Sequence, residues 1–247
     1  MQPAFVLFRY FIHFFFLFPL PNRFPVSKLI FDPELLPVVS IANEEAVSAS
    51  RLSSAWLRQR FSQPPVWEPE VQMEESLFKD LTFRPASVLI PLVLHEAGLS
   101  VLLTQRASGL NHHAGQISFP GGRFEPSDLV PVETAIRETE EEIGLNRQCI
   151  EVIGTMPEYR TGTGYQVTPV VSLITPPFDI VTDPGEVADV FEVPLSYLMD
   201  ARNHQRRVFQ MPDGSGQRMF YAMPYQQHFI WGATAGMLRN LFHFLRA

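Results

Sequence analysis

The sequence predicts a single α/β (α+β) domain over roughly residues 51–247, and three observations carry that expectation. Apolar, β-branched runs of strand length recur along this stretch. Two or three segments with helical periodicity interrupt them. The chain has 247 residues, 46% hydrophobic and 18% charged, which suits one sizeable core plus an extension.

The elements follow in order. Residues 1–50 read as an extension. Its start, "AFVLFRYFIHFFFLFPLP", is rich in Phe, but Arg9 and His13 interrupt it and it falls short of a clean membrane span. A membrane anchor, a signal peptide and an upstream segment outside the working protein all compete. No A-x-A cleavage site follows, and the third reading is preferred. "RLSSAWLRQRFS" (51–62) has Leu52, Trp56 and Phe61 near one face, as in an amphipathic helix. The prolines of "QPPVWEPE" then break the pattern. "ASVLIPLVL" and "LSVLLTQR" read as strands joined by a hairpin turn at "HEAG". "GLNHHAGQISFPGG" is a loop with one short strand near Ile117–Phe119. "VETAIRETEEEIGL" is helical, with Gly144 where a left-handed C-cap is expected. "CIEVIGTM" and "QVTPVVSLI" are further strands, and "FEVPLSYLMD" begins a short helix or turn. "VFQMPD" and "RMFYAMPY" form a hairpin around Asp213-Gly214, and "FIWGATAGMLRNLFHFLR" is a C-terminal helix.

The net charge of −7 argues against general nucleic-acid binding through the phosphate backbone. It leaves room for an anionic small molecule, because a bound cation inverts the local field. The lone cysteine, Cys149, excludes an intramolecular disulfide and suits a reducing, cytoplasmic setting. It reads as a small hydrophobe after a helix. Membrane contact is expected only if the N-terminal segment is an anchor.

Seven carboxylates lie between Gly121 and Leu145. On a helix, Glu138, Glu141 and Glu142 share one face through i, i+3 and i+4 spacing. Like charges there repel, and they sit near a helix C-terminus, where the macrodipole disfavours anions. A solvated acidic face is one reading and a site for a hard dication is the other. Two features favour the dication. Arg137 can pair with Glu141 one turn on. Gly121-Gly122 follows a strand and lets backbone approach closely.

These residues resemble the signature box of the Nudix hydrolases, G-x5-E-x7-R-E-U-x-E-E-x-G-U, with U apolar. Arg137, Glu138, Glu141, Glu142, Gly144 and Leu145 match, and Thr139 replaces an aliphatic residue. Six residues after Gly122 stands Asp128 instead of Glu, and eight residues instead of seven separate it from Arg137. The longer box is similar to that of a coenzyme A pyrophosphatase-like subgroup. "LLTQRASGLNHHAGQISFPGG", from Leu102 to Gly122, also resembles that subgroup, with Asn111 where it often has Arg. "TGTGYQVTPVV" and "EVADVFEVPL" do so as well. The resemblance spans roughly residues 80–240.

The resemblance implies a Nudix-type α/β/α sandwich with a mixed sheet and the carboxylate helix after a Gly-Gly loop. It implies Mg²⁺- or Mn²⁺-dependent hydrolysis of coenzyme A or its derivatives to 3′,5′-ADP and (acyl-)4′-phosphopantetheine. Glu138 and Glu142 are then the main metal ligands, with Glu141 as a further ligand or catalytic group, and Arg137 orients the carboxylates. Glu186, on a loop before an apolar turn, is the preferred general base. Arg106, Gly121, Gly122 and Tyr165 are expected at the substrate, and Arg160 is a further phosphate donor candidate. Each has a plain alternative as a surface or strand-edge residue. His112 and His113 point apart as neighbours in extended backbone and read as loop residues. Ser118 lacks a G-x-S-x-G context, and no G-K-[ST] P-loop is present. Two alternatives stand beside this reading. One is the same chemistry on a nucleotide sugar, dinucleoside polyphosphate or dNTP. The other is a silent nucleotide-binding module.

Overall fold

Strands β2 (Arg84–His95) and β3 (Gly98–Arg106) form the expected hairpin, closing at His95↔Gly98 with Gly98 at φ +125°. The computed structural model describes residues 32–70, 82–109, 114–211, 214 and 216–247. Beyond the turn the two strands splay. The gap between them is filled by β4 (Ile117–Ser118) against β3 and β5 (Gly121–Arg123) against β2. Leu89 N–H donates to Pro120 O at 2.9 Å and fixes the corner between β4 and β5. The Gly-Gly pair expected in a loop is therefore a short strand.

On the other side of β2 lies β8 (Tyr165–Ile174), paired in parallel over its whole length. Its near-continuous apolar run is what a strand covered on both faces requires. β6 (Ile150–Thr155) and β7 (Tyr159–Arg160) pair antiparallel to β8, and β9 (Val187–Pro194) to β3. The sheet is mixed, as expected. A second antiparallel sheet has the order β1 (Val38–Ile41), β10 (Gln205–Gln210), β11 (Gln217–Tyr225), β12 (His228–Trp231).

Helix α2 (Pro131–Ile143) covers one face of the large sheet, with Ala135 on Leu89 and Val170, and Ile143 on Val93, Leu102 and Ile174. Gly144 ends it at φ +67°, its N–H donating to Glu140 O. The other face is covered by α1 (Ser54–Ser62) and α4 (Gly232–Arg246). Leu57, Ile90, Val171, Leu238 and Phe242 join one buried cluster there. Arg51 and Arg60 donate to the last carbonyls of α4, at Phe244, Leu245 and Arg246, groups with no partner inside the helix. Helices on both faces of a mixed sheet give the sandwich the sequence implied.

Three expectations change. "FEVPLSYLMD" begins in β9 and becomes helical only at α3 (Leu195–Leu198), after Pro194 ends the strand. Phe229, Ile230 and Trp231, read as the start of the last helix, belong to the edge strand β12. Residues 32–50, read as part of the extension, lie within the compact unit Asp32–Ala247. β1 pairs with β10, Ala42 N–H donates to His204 O and Val47 N–H to Met199 O, and both side chains are buried. The readings of residues 1–31 lie outside the described residues, as do those of Asn111, His112 and His113.

Candidate functional site

Glu138 and Glu142 project from α2 onto the edge of β5. At Gly122 an added Cβ would lie 2.3 Å from the Glu138 carboxyl carbon, so only glycine leaves room for that carboxylate. Gly121 N–H donates to Glu142 Oε2 at 3.1 Å. Its φ of +152° and its closeness to Ser87 O also require glycine. The pair thus packs against the two acids of the helix, a more specific contact than the general backbone approach the sequence suggested.

Arg137 ties this end of the helix together. Its Nε and Nη2 donate to the two Asp128 oxygens, both at 3.0 Å, as a bidentate fork. Its Nη1 donates to Glu138 Oε1 at 3.1 Å and Glu141 Oε2 at 2.9 Å, the pair expected from the spacing, and Nη2 to Arg123 O. Asp128 is buried and also accepts from Glu125 N–H and Thr134 Oγ1. Those bonds, Arg137's first, hold its carboxyl well below the usual range. The longer loop closes on Asp128, and Asp128 anchors the arginine. Sequence spacing did not reveal this role, because it depends on how the loop closes. Thr139, where an aliphatic residue was expected, is buried with its hydroxyl donating to Ala135 O at 2.6 Å.

Glu142 is only 4% exposed. Burial pushes its carboxyl up to about 7, and the charges of Glu138 and Glu186 push the same way. The Gly121 N–H and Arg106 oppose them. Burial also raises Glu138, against the pull of Arg137. Arg106 Nη1 lies 3.7 Å from Glu142 Oε1, while its buried Nε has no hydrogen-bond partner. Glu186 is exposed in the turn before β9, where its carbonyl accepts from Ala107 N–H next to Arg106. Glu141 is mostly exposed. Glu138, Glu142, Glu186 and Arg106 are therefore brought together. The converging donors are all carboxylate oxygens, two of them raised by burial and mutual repulsion, which suits a hard dication.

Tyr165 does not join them. It packs with the cluster on the opposite sheet face, its ring 4.4 Å from the Arg84 guanidinium and its hydroxyl accepting from Arg123 Nε at 2.9 Å. Arg160 lies over the ring of Phe83. Cys149 is free and half-buried, packed against the cluster that includes Ile143 and Leu145. A second group, Glu44, Glu70 and His243, gathers from distant parts of the chain. It already surrounds a cation: Arg239 pairs with both carboxylates.

A hydrolase whose acid-bearing helix packs on a glycine pair at a sheet edge is the class this geometry describes. The NUDIX domain family matches residues 83–211, and the chain belongs to the Nudix hydrolases, enzymes that act on phosphorus-containing anhydrides. It is 42% identical over 163 residues to the uncharacterized Nudix hydrolase NudL of Escherichia coli K12, covering 65% of this chain and 82% of that one. It is 41% identical over 162 residues to the NudL of Citrobacter koseri, with the same coverage. Among solved structures it is similar to the Nudix hydrolase RenU of M. smegmatis, at 24% identity and a TM-score of 0.40, over 45% of this chain and 71% of that one. It is also similar to a C. elegans Ap4A hydrolase, at 19% identity and a TM-score of 0.38, over 44% and 80%. Among the described residues no helix is long and apolar enough to cross a membrane.

Proposed function

We propose that this chain is a Mg²⁺- or Mn²⁺-dependent pyrophosphohydrolase that cleaves the diphosphate of coenzyme A or its derivatives to 3′,5′-ADP and the 4′-phosphopantetheine moiety. The observation that carries the chemistry is the crowding of Glu138, Glu142 and Glu186, the first two raised by burial, while Arg137 is shared among Asp128, Glu138 and Glu141. Glu138 and Glu142 would hold the metal, with Glu141 added directly or through water. When bound, the ion supplies an acidified water and a clamp on phosphate oxygens.

The protein's own groups do the rest. Arg137 holds Glu138 and Glu141 in one orientation. The Gly121 N–H fixes Glu142. Arg106, whose Nη1 stands 3.7 Å from Glu142 Oε1, meets a non-bridging phosphate oxygen and offsets charge on the leaving group. Glu186 faces the cluster from the exposed side and takes the proton of the attacking water. The coenzyme A assignment rests on the longer box closed on Asp128 and on the segment Leu102–Gly122. A substrate panel tests it, with Mg²⁺ and with Mn²⁺ and with products read by mass. It should contain coenzyme A, acetyl-coenzyme A, NADH, ADP-ribose, diadenosine polyphosphates and dNTPs. Coenzyme A is expected to turn over fastest. Turnover of another compound with coenzyme A untouched overturns the substrate and leaves the chemistry standing.

A further inference from the structure

Two guanidinium groups meet at one phenol on the sheet face opposite α2. Arg84 begins β2, Tyr165 begins β8, and the two are partners in the parallel register. The turn before β8 sets them: Arg84 N–H donates to Gly164 O, and Tyr165 N–H to Thr161 Oγ1, both at 3.0 Å. Arg123 ends β5 opposite Ala86 and reaches the Tyr165 hydroxyl with Nε. Both arginines are exposed, and among the described residues neither lies within ion-pair distance of a carboxylate. The chain has 26 acids against 19 Lys and Arg, so an ion-pair partner would be easy to supply. Two like charges held on one ring without one repel each other unless an anion joins them.

We propose that Arg84, Arg123 and Tyr165 form a subsite for a phosphate monoester on the nucleoside part of the substrate, distinct from the diphosphate at the carboxylates. The inference rests on the proposed function, because coenzyme A carries such a group. Strand β5 links the two places. Gly122 faces Glu138, and the next residue, Arg123, points to the other face by strand alternation. A nucleotide with its diphosphate at Glu138 and Glu142 bends round the end of this short strand to reach the arginines. The Arg84 fork, stacked on Tyr165, and the free nitrogens of Arg123 present planar donors to phosphate oxygens. The Tyr165 hydroxyl accepts from Arg123 and so turns its own proton outward as a third donor.

Calorimetry of adenosine 3′,5′-bisphosphate and AMP, which differ by one phosphate monoester, reads the subsite without any turnover. The full chain is expected to bind the bisphosphate about tenfold more tightly. Arg84→Gln and Arg123→Gln should each bring that ratio toward one, and Arg84→Lys should restore part of it. Thermal melts confirm that these exposed substitutions leave the fold intact. Equal affinity for the two nucleotides, no measurable binding of either, or an equal loss for both in the variants overturns the subsite. A preserved preference for the bisphosphate with no cleavage of coenzyme A overturns the substrate instead. The two failures are therefore separable.

Discussion

At Glu142 burial and two neighbouring acids together oppose the charged form. Its carboxyl is raised to about 7 at a position only 4% exposed, close to two other acids. Glu142→Gln keeps the shape and still accepts from the Gly121 N–H, but carries no charge. Turnover should fall on the order of a hundredfold or more, while the melting temperature holds or rises because a repelled buried charge is gone. Unchanged metal-dependent turnover in this variant would sink the site. His204 offers a test of stability. It is fully buried, and Nε2 donates to Leu198 O while Nδ1 accepts from Arg239. Burial first lowers its pKa from the ordinary 6.5 to about 4. Below the unfolded value the unfolded chain takes a proton that the fold refuses. Stability present above about pH 6.5 is therefore lost as pH falls toward 4, by about 1.4 kcal/mol per pH unit from this one group. Urea midpoints at pH 7.5 and 5 should show a smaller drop for His204→Gln than for the native chain. Equal drops would mean that other groups govern the acid limb. At this scale the shared face of Glu138 and Glu142 was legible from spacing, since it needs only a helix, while Glu141 stays mostly exposed beside Arg137. The task of Asp128 was not, because its partner lies across a loop.

The corner made by β4, β5 and α2 is the element that builds the site, and its two glycines act on different neighbours. An added Cβ at Gly121 meets Ser87 O at 2.4 Å and Val88 Cα at 2.6 Å, both backbone, at a φ of +152°. Neither atom can yield. At Gly122 the Cβ meets only the far end of Glu138, which can swing aside. Gly121→Ala should therefore destabilise by about 2 kcal/mol or more. Gly122→Ala should keep most of the stability and lose tenfold or more in turnover by displacing one carboxylate. Melts and rates of both variants decide it, and the reverse order would contradict the cradle. The sequence showed the glycine pair and the helix, because "PGG" and a helical periodicity are local signals. It did not show that β2 and β3 splay to admit β5, which is a tertiary event. Nor did it place β9 or β12. The exposed polar positions of β9 hide its alternation, and β12 has only four residues before α4 begins.

Across the folded unit, Arg239 joins parts of the chain that are nearly two hundred residues apart. It is fully buried in α4. It pairs with Glu44 from the first described segment and with Glu70 after α1, and it stacks near Tyr221 of β11 and Phe242 of its own helix. Glu70 is also met by Arg206, the Tyr221 hydroxyl and His243; burial raises its carboxyl, but His243, Tyr221 and Arg239 outweigh it and hold the group well below the usual range. Arg207 adds bonds to the carbonyls of Pro33, Glu34 and Leu36. These long-range polar contacts explain why residues 32–50 read as an extension in the sequence. Residues 32–50 have few buried apolar positions, so no periodicity marks them, and an ion pair across 195 residues leaves no local trace. Arg239→Met retains much of the buried stem but leaves Glu44 and Glu70 without their cation. The loss should be about 2–3 kcal/mol, below the range for a fully buried pair because both carboxylates keep some water. The denaturant midpoint should fall with an unchanged m-value if the segment stays docked on β10. A lowered m-value would instead show that residues 32–50 had already come away before global unfolding, since less surface would then remain to be exposed. Turnover measured well below the melting range should be nearly unaffected, because none of Arg239's partners belongs to the cluster around Glu138 and Glu142. A loss of activity in step with the loss of stability would show that α4 and the corner of β4, β5 and α2 are coupled through the shared sheet.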